Sequence, residues 1–223
     1  MSQSPYAVTR SVESALATNK VIRNTYTLLS MTLLFSALTA GLSMMMNFPP
    51  MGPFITLGGY FALLFVTTKL RNSAWGLVSI FALTGFMGLT LGPLISFYLH
   101  AFSNGSQLVM TALGGTGVIF LGLSGYALTT RKDFSFMGGF IMVGVLVAFL
   151  AGIGALIFSI PALSLAVSAM FILLMAGFIL YQTSEMIHGG ETNYIMTTIS
   201  LYISIYNLFT SLLHLLGAFA GED

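Results

Sequence analysis

The chain has 223 residues, of which 57% are hydrophobic and only 6% charged, with a mean hydropathy of +0.95, whereas a soluble domain carries about 25% charged residues. Seven Lys and Arg against six Asp and Glu leave a formal charge of +1, too small and too dispersed for a nucleic-acid footprint. The absence of cysteine excludes disulfides, thiolate catalysis, Cys-ligated zinc and cysteine-bound iron–sulfur clusters.

The fold class that follows is all-α: a polytopic membrane protein, with no second domain and no clear internal repeat. Residues 1–23 mix Ser, Thr, Gln and Asn with Arg10, Glu13, Lys20 and Arg23, and hold too few apolar residues to pack alone. They read as a solvated cytoplasmic tail. No apolar h-region or cleavage site precedes the first span, which must itself serve as the insertion signal. Apolar runs then place membrane spans at about 25–46, 54–68, 74–98, 108–129, 136–158, 162–187 and 194–219, a seven-helix domain over 24–220. The turn NFPPMGP cannot continue a helix and separates the first two. Lys69 and Arg71 end the short second run, and Trp75 is placed for an interface belt at the start of the third. In the third span Gly85, Gly88 and Gly92 lie on nearly one face, which lets a neighbouring backbone come close, and Pro93 predicts a kink. The glycines of the fourth span, Gly114, Gly115, Gly117, Gly122 and Gly125, imply tight packing or backbone freedom. In the fifth, Gly144, Ala148 and Gly152 repeat small residues every four positions. Gly189 and Gly190 stop the sixth.

All seven basic residues fall before span one, between spans two and three, or between spans four and five. By the positive-inside rule that side is the cytoplasm, and seven spans put the C-terminus in the periplasm.

The chemistry-bearing residues are few. No GxSxG, HExxH, Walker loop or dinucleotide fingerprint occurs, so the sequence points away from an enzyme and names no cofactor. Glu185 and His188 stand at i, i+3 and could offer two metal ligands, but the glycines break the helix before Glu191, so the bland reading is a solvated helix end and no metal site is assigned. The last span carries Ser200, Ser204, Asn207, Ser211 and His214 in steps of four, three, four and three, one polar stripe on an otherwise apolar helix. In lipid that stripe must look inward. Ser200 and Ser211 read as interhelical glue; Asn207 and His214 are costlier to bury and would line a cavity or meet a partner such as Tyr202, Tyr206 or a carbonyl bared by glycine.

Leu91-Gly92-Pro93, the run Ile179 to Ser184, the turn His188 to Tyr194, Ser200-Leu201-Tyr202 and Tyr206-Asn207-Leu208-Phe209 resemble the Bax inhibitor-1 family, in particular its bacterial YccA-like branch. The likeness covers almost the whole chain from Arg23. It implies seven membrane helices, six of them around a central seventh. One branch of the family conducts calcium as a pH-sensitive leak governed by two aspartates, and the matching positions here are Gln182 and Ser204, neither of them acidic. The YccA-like branch implies instead a non-enzymatic partner of the membrane-anchored AAA+ zinc protease FtsH, with its prohibitin-like companions HflK and HflC, in the bacterial inner membrane. That is the expected function, with a cation leak as the alternative; periodicity leaves the oligomeric state open.

Overall fold

A computed structural model describes residues 5–221, with side chains from Thr18 onward. It contains seven helices: α1 (Pro5–Met45), α2 (Pro53–Leu70), α3 (Trp75–Ala101), α4 (Gly105–Thr130), α5 (Met137–Phe158), α6 (Pro161–His188) and α7 (Tyr194–Ala220). Each holds a stretch long and apolar enough to cross a membrane, that of α1 running from Thr18 to Met45. Among the described residues no strand occurs.

Helix α1 begins ahead of the first span. The helix runs unbroken from Pro5 into the first span, because nothing between Tyr6 and Ala40 is Gly or Pro. A span already helical in lipid also supplies the costly nucleus, so good helix formers before it propagate the helix. The 13 residues from Pro5 to Ala17 extend α1 by about 20 Å beyond Thr18.

The seventh helix is central. It packs on α6, α4, α1 and α3, while α2 leans on α3 and α5 on α6 from outside. The outer pair faces lipid with large apolar side chains, among them Phe54, Ile55 and Phe65 of α2 and Phe140, Leu150 and Leu156 of α5. Fully buried Ile199, Leu201, Tyr202, Leu208 and Leu213 of α7 form the middle of the core.

The small-residue face of α3 meets α1. A Cβ added at Gly88 would collide with Thr39 Oγ1 and the carbonyl oxygen of Ser36, and one at Gly92 would stand 2.5 Å from Ser43 Cβ. Gly85 is covered by the ring of Phe35. Without a hydrophobic drive between helices in lipid, such close backbone approach supplies the dispersion that holds them. In α5, Gly144 receives Leu174 of α6, and Ala148 is fully buried. The glycines of α4 behave differently. Gly114, Gly117, Gly122 and Gly125 have open space around them and Gly115 makes only ordinary contact with Leu212, so tight packing is not what they provide.

This contrast predicts opposite effects from one substitution. Gly88→Ala overpacks a backbone contact and should cost about 1–3 kcal/mol, whereas Gly117→Ala meets nothing and should be neutral or stabilising by up to about 1 kcal/mol through helix propensity. Thermal melting of the two variants in mild detergent reads the difference; equal melting temperatures would contradict the α1–α3 packing.

Candidate functional site

The polar groups of the bundle interior converge on α7. The Tyr202 hydroxyl donates to the carbonyl of Thr84 on α3 (3.3 Å) and shares a hydrogen bond with Ser36 on α1 (2.6 Å). One side chain thereby ties three helices together. One helical turn on, the Tyr206 hydroxyl bonds Thr90 of α3 at 3.0 Å; Thr90 already donates to Met87 (2.7 Å), so Tyr206 is the donor between them. Towards the N-terminal end of α7, the Thr198 hydroxyl donates to the Tyr194 carbonyl of its own helix (2.7 Å), with the Thr25 carbonyl of α1 a longer second acceptor at 3.3 Å, and a second chain runs from Tyr26 of α1 through Ser124 of α4 to Thr183 of α6. The Thr25 hydroxyl, fully buried, is the one buried side-chain oxygen without a partner among the described residues.

The five-residue stripe separates into distinct environments. Ser204 is fully buried and donates to the Ser200 carbonyl at 2.9 Å, while Asn207 Nδ2 donates to the Ile203 carbonyl at 2.9 Å. Both amide and hydroxyl turn back on their own helix. Asn207 also lines a cavity of about 800 Å³ shared by α2, α3, α5, α6 and α7. Ser200 is half-buried and Ser211 buried. The half-buried His214 pairs through Nδ1 with Ser168 of α6 at 2.8 Å, a partner that periodicity could not name because it lies on another helix. Gln182 on α6 is buried, 6% exposed, as is Ser204 on adjoining α7. A hydrogen bond from Ser204 to Gln182 or Asn207, which the residue types permit, does not form, since the Ser204 proton is spent on the Ser200 carbonyl.

Glu185, His188 and Glu191 do not share a site, and no three His, Asp or Glu among the described residues are placed to hold a metal. They build a turn. Gly189, at φ +77°, ends α6 in the left-handed region where glycine has no Cβ to clash, and the backbone N–H groups of Gly190 and Glu191 both reach the Glu185 carbonyl. His188 Nδ1 turns back to the Ser184 carbonyl at 2.9 Å. Glu191 Oε1 accepts from the backbone of Asn193 (2.8 Å), whose own side chain caps α7 by accepting from Ile195 and Met196. The same Asn193 amide donates to Arg71 and Asn72, pinning the α6–α7 turn to the α2–α3 loop. Ser184 receives the Phe134 backbone N–H at 2.9 Å and so anchors the α4–α5 loop at this end. In that loop the backbone and hydroxyl of Ser135 hold the exposed Asp133 carboxyl below the usual carboxylate range, with the charge of His188 a smaller influence. This stabilisation is present above the ordinary carboxylate pKa and is lost as pH falls through the lowered one.

Pro93 does not interrupt α3. Lacking an N–H, it leaves the Leu89 carbonyl four residues earlier without its helical donor, and Ser43 of α1 supplies one at 2.9 Å. The proline was visible in the sequence; the compensating serine, 46 residues from Leu89, was not.

Comparison with known proteins decides the family. A family model described as "Inhibitor of apoptosis-promoting Bax1" matches residues 18–221. The chain belongs to the Bax inhibitor-1 family. It is 50% identical over 210 residues, 94% of each chain, to the Escherichia coli K12 protein named "Modulator of FtsH protease YccA". An uncharacterized Pseudomonas aeruginosa protein is 52% identical over the full length of both chains, and an uncharacterized membrane protein of Vibrio cholerae is 44% identical over 96% of each. The Tyr202 and Ser43 bonds therefore belong to the internal wiring of a Bax inhibitor-1 bundle.

The Ser43 bond yields a double-mutant cycle. Ser43→Ala should cost about 0.6 kcal/mol, the average for interhelical bonds in lipid, and at most about 1.7 kcal/mol, and much less in a Pro93→Ala background, where a restored N–H serves Leu89. Unfolding free energies of the four proteins check this; equal costs in both backgrounds would refute the compensation.

Proposed function

We propose that this protein is a non-enzymatic inner-membrane modulator of an AAA+ protease of the FtsH type, working alongside HflK- and HflC-like companions, and that it restrains the protease by being gripped and only slowly extracted. The observation that carries the reading is the 50% identity, along 94% of both chains, to a protein named a modulator of that protease; a relative from another E. coli strain, equally similar, is named an inner membrane protein. Packing supports it. A puller must undo the α1–α3 glycine seam and the bonds of Tyr202 and Ser43 before α1 can leave the bundle.

Lys20, Arg23, Lys69, Arg71, Arg131 and Lys132 sit at or beyond the end of the bundle where the α2–α3, α4–α5 and α6–α7 connections meet. We place that end in the cytoplasm by the positive-inside rule, with the C-terminus in the periplasm. The segment before the first span is then the longest cytoplasmic handle, and a helical one from Pro5. Deleting the residues before Arg10 keeps Lys20 and Arg23 for orientation. The shortened protein should insert normally, still co-purify with the protease from native membranes in mild detergent, and live longer in cells that contain it. An unchanged half-life would reduce the segment to a topology signal.

Gln182 and Ser204 bear on the alternative, a cation leak. An amide and a hydroxyl do not titrate in the physiological range, so no carboxylate pair is available here to share a proton and attract calcium. Calcium flux into proteoliposomes should show no steep change between about pH 6 and pH 8, and the double substitution Gln182→Asp with Ser204→Asp should introduce one. A steep pH dependence of the parent protein would overturn this reading.

A further inference from the structure

The cavity of about 800 Å³ beside α7 has walls from both outer helices. Tyr60 and Phe61 come from α2, Met142, Val143, Leu146 and Phe149 from α5, and Met87, Met175, Tyr206 and Asn207 close it from within. Its depth in the bundle is graded: Met87 and Met175 are nearly fully buried, whereas Met142, Val143, Leu146 and Phe61 are exposed by 78, 62, 58 and 49%. It is therefore a crevice with a buried floor and a mouth that opens sideways between α2 and α5, which meet through the edge-to-face pair Phe61–Phe149 (6.3 Å). The lining residues of α3, α6 and α7 sit in the middle turns of those helices, so the crevice lies near the middle of the membrane. The size is that of a pocket for a small hydrophobic molecule.

Three features select the occupant. No charged residue lines the crevice, which excludes a headgroup or an ion. At the floor Tyr206 is bonded to Thr90 and Asn207 Nδ2 gives one of its two hydrogens to the Ile203 carbonyl, so few hydrogen bonds are left to offer a ligand. Finally, the mouth is formed by Phe, Met, Leu and Val, whereas helix-on-helix contacts in lipid favour small residues that let backbones approach. At mid-membrane depth the bilayer itself offers hydrocarbon chain ends in vast excess over any partner. From this we propose that the α2–α5 crevice is a lipid-chain site, holding the methyl-terminal part of a bilayer acyl chain against Met87, Met175 and the aromatic wall. The chain acts as an exchangeable piece of core, filling what the two outer helices leave open beside α7.

Bromolipid quenching tests it on the purified full-length protein. The single tryptophan, Trp75, is changed to Phe, and one new tryptophan is introduced as Phe171→Trp or Phe86→Trp in the crevice wall. Leu156→Trp serves as the lipid-facing control, and Phe209→Trp as the core control, or Tyr98→Trp if Phe209→Trp fails to fold by thermal melting. Nanodiscs are made of phosphatidylcholine with or without bromine at mid-chain. The crevice tryptophans should lose about half of their emission in bromolipid, as the lipid-facing control does at hydrocarbon depth. Quenching no greater than in the core control, at both crevice positions, would overturn the proposal. So would efficient quenching there by aqueous iodide in place of bromolipid, which would make the crevice a water-filled space.

Discussion

The structure depends on one constraint: a polar group inside the bilayer has no water to bond to, so each must find its partner within the bundle. Tyr202 shows how that constraint becomes architecture. Its hydroxyl reaches Thr84 and Ser36 on two other helices, so the position of α7 relative to α1 and α3 is set by bond geometry as well as by packing. Tyr206 to Thr90 and His214 to Ser168 repeat the device at other levels. Each bond is worth little alone, about 0.6 kcal/mol on average, but a misplaced helix would leave several buried groups unpaired together, at about 1–3 kcal/mol apiece. The wiring therefore acts chiefly on specificity of arrangement.

The bundle is not uniformly tight. On one side α1 and α3 approach until glycine is the only residue that fits, and Ser43 crosses the seam to serve the carbonyl that Pro93 strands. On the other, α2 and α5 touch the core through one neighbour each and leave a crevice between them. The same membrane that forces the polar groups inward fills such an opening with hydrocarbon at little cost, which is why a gap of this size can persist beside a well-packed centre.

This division matters for a protein whose proposed work is to resist extraction. The segment that a protease would grip leads directly into α1, the helix held most firmly by α3 and bonded to α7. Force applied at the N-terminal end thus meets the tight half of the bundle first, and the loosely held α2 and α5 lie on the far side of it.

Hydropathy alone determined that the chain forms seven helices of membrane-crossing length, because a span must be some 20 apolar residues long whatever it packs against. The spacing of Ser200, Ser204, Asn207, Ser211 and His214 showed one polar stripe on α7 but not how it is buried, since apolar Ile199, Leu201, Leu208 and Leu213 lie deeper than Ser200, Asn207 and His214; Gly88 and Gly92 marked a close approach. What meets those faces was decided only in three dimensions. That α1 is the partner of the α3 glycines, that Ser43 completes Pro93 and that Ser168 receives His214 are relations between residues far apart in the chain, and periodicity carries no information about which helices become neighbours. The α4 glycines make the same point in reverse: the sequence shows a glycine-rich helix, yet Gly114, Gly117, Gly122 and Gly125 face open space. The turn around Glu185, His188 and Glu191 likewise shows its ligand-like residues in the sequence, but only the tertiary structure reveals that their atoms are spent on capping and on tying loops together.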